Sequence, residues 1–186
     1  MKKLTLIIFA IFIFFSFSIF AQNPYEYKKH TITKDDKTVE IFLVQSSTTE
    51  KGLNYFKNKK YKEGLEYFIS QAKMGDLDCA VNAGIIYEHI EKDDILAMDY
   101  YKIAAEAGNP IGQYNYGVIL YFIDEKHLAD INPNHKKIES YKWILCSAQQ
   151  NYQVAIDSKE HMKKNSDIIS QEEIKIAEKL SKDCIF

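Results

Sequence analysis

The side chains that could do chemistry in this 186-residue chain are scattered rather than clustered. His89, His127, His135 and His161 fall on or near expected helix ends, where an imidazole serves as a solvated cap, and none has the spacing of a zinc site. Asp35-Asp36 and Asp93-Asp94 sit where a turn or a helix start needs a carboxylate. The chain has no nucleophile elbow, phosphate loop, His-Glu-x-x-His run or Cys-x-x-Cys pair. The expectation is a protein without catalytic residues, cofactor or metal.

Two asparagines offer something else. Asn82 and Asn115 lie 33 residues apart, each two residues before a glycine, Gly84 and Gly117. A carboxamide carries one acceptor oxygen and a two-proton donor, so it can hydrogen-bond the backbone of an extended peptide. Ile86 and His89 follow one and two turns after Asn82, as Ile119 and Phe122 follow Asn115. These six residues form the candidate partner-binding strip. The alternative is that both amides serve local backbone.

The spacing of the asparagines belongs to a longer repeat. Tyr67, Tyr100 and Trp143 coincide in register, then Ala72, Ala105 and Ala148, then Gly75, Gly108 and Asn151, with a first interval of 33 residues and a second of 43. A fixed period in this range implies stacked helical hairpins. A glycine inside a helix costs about 1 kcal/mol relative to alanine, so Gly84 and Gly117 at one register imply close approach of neighbouring helices. The small alanines do the same from the facing helix, and the three aromatics are expected to fill the gap between hairpins.

The pattern resembles the Sel-like repeat family, a branch of the tetratricopeptide superfamily. Ala97, Tyr100, Tyr101, Ala104, Ala105, Gly108, Gly112, Asn115 and Gly117 match its motif, and the resemblance extends over residues 53–184. The link after Tyr87 is shorter than the family's. The resemblance implies an all-α fold, a right-handed superhelix of about four helical hairpins whose first helices line the concave side. It also implies a non-enzymatic protein-interaction module, an adaptor or scaffold in the bacterial envelope. The alternative is an immunity protein that neutralises a secreted toxin such as a phospholipase. A ligand-hydrolysing role ranks third, because the paired cysteines of that branch are missing.

Ahead of the repeats, Met1-Lys2-Lys3, an apolar run from Leu4 to Phe20 and a small residue at Ala21 read as a secretory signal peptide over 1–21, cleaved after Ala21. The product would be periplasmic or secreted, with no membrane insertion; an uncleaved leader acting as an anchor is the alternative. Cleavage removes two lysines and leaves 22 basic against 26 acidic residues. That balance disfavours nucleic acid and leaves another protein or peptide as partner. Three cysteines cannot all pair within one chain. Cys146 with Cys184 is the candidate bridge, and three unpaired thiols are the equal alternative.

Residues 22–46 lack helical period. Thr31-Ile32-Thr33 and the run 38–43 flank Lys34-Asp35-Asp36-Lys37, so a short β-hairpin or an extended arm is expected. The repeat domain should occupy 47–186. Ser47-Thr48-Thr49-Glu50 has capping-box spacing, as does Ser170-Gln171-Glu172-Glu173. Helices are expected over 61–74, 78–90 and 172–182, with starts at Asp93 or Asp94, at Asn109-Pro110 and at Asn132-Pro133.

Overall fold

The computed structural model describes residues 25–34, 37–124 and 135–184. The expected leader, the Asn132-Pro133 cap and most of the excursion at 124–131 lie outside them. The chain begins with an antiparallel hairpin, β1 (Glu26–Lys34) and β2 (Lys37–Gln45). Helices follow: α1 (Glu50–Lys57), α2 (Tyr61–Ala72), α3 (Leu77–Ile86), α4 (Asp94–Glu106), α5 (Pro110–Phe122), α6 (Lys136–Gln149), α7 (Gln153–Lys164) and α8 (Gln171–Leu180). The described fold is therefore mostly helical, with a small two-stranded sheet at its amino-terminal end.

From α1 to α7 each helix packs on its successor, α3 also touches α5, and α8 returns to α6. The turns that set this up are copies of one another. Gly75, Gly108 and Asn151 all adopt left-handed backbone, with φ of 95°, 88° and 61°. Their N–H groups donate to the carbonyls of Ala72, Ala105 and Ala148 at 3.0 to 3.1 Å. The next N–H groups, of Asp76, Asn109 and Tyr152, reach back to Gln71, Ala104 and Ser147. This paired closure satisfies the last helical carbonyls, and asparagine replaces glycine because it tolerates positive φ. Asp76 and Asn109 then cap the following helices. Asp76 accepts from Cys79 N at 2.7 Å, and Asn109 accepts from Ile111 N and Gly112 N at 3.0 and 2.9 Å.

The three repeat aromatics pack against the core, but the most deeply buried position is the next residue along. Tyr67, Tyr100 and Trp143 are only half-buried, whereas Phe68, Tyr101 and Ile144 are sealed inside. The sealed side chains lie against helix glycines. A Cβ on Gly52 would overlap the Phe68 ring, one on Gly84 would come 2.5 Å from Tyr101 Cε1, and one on Gly117 would meet Ser140 O at 2.8 Å and Ile144. Gly52 is a member of this set that the repeat spacing alone did not expose. Tyr100 instead stacks on Tyr87, with ring centroids 5.5 Å apart.

Other boundaries differ for local reasons. The box expected at Ser47–Glu50 does not form: α1 starts at Glu50 with Thr49, not Ser47, at its N-cap, and the Thr49 hydroxyl folds back. It accepts from Ser46 N at 2.8 Å and donates to Ser46 O at 3.2 Å. The box at Ser170–Glu173 does form. The helix expected over 78–90 is α3 followed by a π turn, Tyr87–Glu91, which ends on left-handed Lys92. The wider turn brings Asp93 to the start of α4, where it accepts from Leu96 N at 2.9 Å. A disulfide joins Cys146 to Cys184, with Cα atoms 5.8 Å apart, and ties the chain end to α6. Cys79 is a free, buried thiol whose pKa is raised by burial and by the hydrogen bond to Asp76.

Candidate interaction surface: a strand held on the asparagine strip

Helix α3 has no exposed face from Cys79 to Ile86, because helices cover it on one side and β2 on the other. Asn82 lies at the centre of this covered stretch, fully buried. Its Oδ1 accepts from Val44 N at 2.7 Å and its Nδ2 donates to Val44 O at 3.0 Å. One carboxamide thus meets both backbone groups of one strand residue, as a neighbouring strand would. The amide marked out by the repeat spacing does hold an extended backbone, and that backbone is the chain's own.

The two bonds fix how the hairpin faces. Since the N–H and C=O of Val44 both point to α3, the pair Tyr27–Val44 is not hydrogen-bonded across the ladder. The alternation then runs from that pair to Lys34–Lys37, the pair that closes the two-residue loop. The outer edge of β2 is turned toward α3, while the outward groups of β1 belong to Tyr27, Lys29, Thr31 and Thr33.

Three further contacts hold the hairpin. The Tyr27 and Tyr152 hydroxyls are 2.7 Å apart, and the Tyr25 ring meets Tyr152 edge-on at 5.8 Å. Tyr152 also meets Tyr114 of α5, whose hydroxyl lies 3.2 Å from Ser158 of α7. Tyr152 occupies the turn position held by the capping residues Asp76 and Asn109 in earlier repeats. An aromatic anchor for β1 has replaced a helix cap. On the opposite face of the sheet, His30 is buried with its ring edge-on to Phe56 at 5.8 Å, and its Nε2 has no hydrogen-bond partner among the described residues. Burial, reinforced by Lys28, lowers its pKa below the usual imidazole value.

The six residues of the expected strip separate into two groups. Asn82 is committed to β2 and Ile86 is buried beside it in the covered stretch of α3. His89 has moved onto the π turn, half-exposed, with Nε2 3.9 Å from the Glu88 carboxylate. That carboxylate accepts from the Tyr101 hydroxyl at 2.8 Å. On α5, Asn115 is half-buried and its side chain makes no hydrogen bond among the described residues. Ile119 is buried, whereas Phe122 is 55% exposed. The structure therefore does not join the six into one surface: the α3 half is filled, and the α5 half carries an unused amide and an open aromatic. The docking partner Val44 had one sequence signal. Ile41-Phe42-Leu43-Val44 is a continuous apolar run rather than an alternating one, which marks a strand end with apolar side chains on both faces, though it does not single out Val44.

No titratable cluster accompanies this surface: among the described residues no group of three or more His, Cys, Asp or Glu side chains could hold a metal ion. Nor is any helix among them long and apolar enough to cross a membrane.

Comparison with known proteins adds little to this geometry. No family model matches the chain, and no solved structure matches it. It is similar to an F-box protein of Arabidopsis thaliana, with 31% identity over 106 residues. The match covers 50% of this chain, which spans 27% of that relative's length.

Proposed function

We propose that the chain is a non-enzymatic protein-interaction module whose helices form a right-handed stack of Sel-like hairpins, exported to the bacterial envelope as an adaptor or scaffold. One observation carries this reading: Asn82 grips an extended backbone through both of its polar groups. Asn115, one repeat later, is equivalent in sequence and its amide has no partner among the described residues. The open α5 strip of Asn115, half-buried Val118 and Phe122 is accordingly the place for a segment of another protein. Export rests on the leader-like first 21 residues.

The test is affinity capture from envelope extract with the secreted-length protein and with its Asn115→Ala variant, followed by melting curves. The expected result is a partner captured by the parent and lost by a variant that melts unchanged. Undiminished capture by the folded variant removes the strip from the reading. The immunity role is separated from the adaptor role by the captured protein: a toxin-like enzyme supports the former. Intact mass of the exported protein tests leader cleavage after Ala21.

A further inference from the structure

The two edges of the hairpin are treated differently. The β2 edge is plugged where Asn82 meets Val44. The β1 edge is not: the outward N–H and C=O groups of Lys29, Thr31 and Thr33 have no partner among the described residues. All three residues are exposed, and the nine-residue strand contains no proline. Its pairing with β2 is unbroken, so no bulge twists the edge away. An edge of this kind is a template for a further strand.

Lysine is the usual guard of such an edge. Here Lys29 is neutralised across the ladder by Glu40 at 2.7 Å. Lys28 projects on the other face of the sheet, where it lines an open groove of about 830 Å³ between the hairpin and α1. Lys51 and Lys57 stand in the same groove with Leu53 beside them, against the carboxylates of Glu26 and Glu50. Lys51 Nζ also lies 5.4 Å from the Tyr67 ring centroid. A strand added to β1 would direct alternate side chains toward this groove.

We propose that the outer edge of β1 takes an acidic, extended segment of a partner protein as a third strand, with its carboxylates directed to Lys28, Lys51 and Lys57. The same charges reject a second copy of this chain. Antiparallel self-pairing centred on Thr31 would set Lys28 opposite Lys34, and like charges across a ladder are unfavourable. The site shares with the reading above only the premise that the chain binds another protein, since it uses neither Asn115 nor Phe122.

The experiment is amide hydrogen exchange of the full chain with a capped heptapeptide that alternates glutamate with valine or isoleucine. Its lysine counterpart serves as the control. The acidic peptide should slow exchange at Thr31 and Thr33 by about tenfold or more, and the lysine peptide should bind at least about tenfold more weakly. Thr31→Pro removes an outward N–H that the fold does not use, and proline is tolerated at such edge positions. It should abolish peptide binding while the Val44 amide stays protected. Lys28→Glu together with Lys57→Glu gives a second variant that leaves the backbone alone, and it should reverse the preference between the peptides. No slowing at millimolar peptide, equal binding of both peptides, or unchanged binding to a Thr31→Pro protein with protected Val44 overturns the proposal. Concentration-dependent dimerisation that slows Thr31 in the absence of peptide also overturns it, in favour of a second copy. Asn115→Ala should leave peptide binding unchanged, so failure at this edge is distinguishable from failure of the α5 strip.

Discussion

Replacing Asn82 by alanine removes both bonds to Val44 and supplies nothing in their place. A typical hydrogen bond contributes about 0.5 to 1.5 kcal/mol net, but a buried group left unpaired costs about 1 to 3 kcal/mol. Val44 is 2% exposed and Asn82 fully buried, so water does not reach the orphaned N–H and C=O while the strand stays seated. Two such groups put the loss of docking free energy at about 2 to 6 kcal/mol. Against a total stability of about 5 to 15 kcal/mol this is large, and much of it should appear as local release of the hairpin. The assay is native-state hydrogen exchange at the Val44 and Leu43 amides, with denaturant melts of Asn82→Ala and Asn115→Ala. Asn115 makes no side-chain bond among the described residues, so its alanine variant should stay within about 0.5 kcal/mol of the parent. Equal, small effects of the two substitutions would refute the view that Asn82 holds the hairpin in place.

Gly84→Ala should destabilise by about 1 to 3 kcal/mol in a thermal melt, despite its gain in helix propensity, because the new methyl meets a Tyr101 ring pinned by its bond to Glu88. His30 binds protons less readily folded than unfolded, so its contribution to stability is full above the unfolded value of about 6.5 and is lost as pH falls below it. Melting temperature should therefore drop on acidification, and His30→Phe should reduce that drop; an unchanged pH profile counts against it. Reduction of Cys146–Cys184, 38 residues apart in sequence, should cost about 4 kcal/mol on a loop-entropy basis, measured by melts with and without reductant. Cys79 should meanwhile resist thiol reagents in the native protein.

How much of this was legible in the sequence depends on how local each interaction is. Gly75, Gly108 and Asn151 could be read as equivalents because their constraint is the φ angle of a single residue. Asn109-Pro110 and Ser170–Glu173 are equally short-range, and both act as expected. The repeat picked out Tyr67, Tyr100 and Trp143, which pack half-buried against the core, but not which neighbour is sealed, because Tyr100 and Tyr101 are adjacent and both fit a helical face. Only the glycine opposite tells them apart, and that requires knowing which helix lies there. At Ser47–Glu50 the box spacing was present, but the helix starts at Glu50 rather than Thr48, which leaves Ser47 outside the cap position. The strip was half legible. Repeat spacing located Asn82 and Asn115, but no pattern in the helices shows that a strand 38 residues upstream already fills the first of them.

The contact between Tyr27 and Tyr152 has a consequence for how the molecule comes apart. A row of helices that touch mainly their neighbours can fray from either end, each unit opening on its own account. Here the hairpin reaches from α3 to the start of α7 and links residues 125 positions apart. It works as a strap: opening α7 loosens Tyr152, which loosens β1, which in turn bears on Asn82. The two ends should therefore melt together rather than in succession. The strap also cannot close until residue 152 has left the ribosome, because a two-stranded hairpin by itself is marginal in water. Of all the described elements, the first to be made would be the last to be secured.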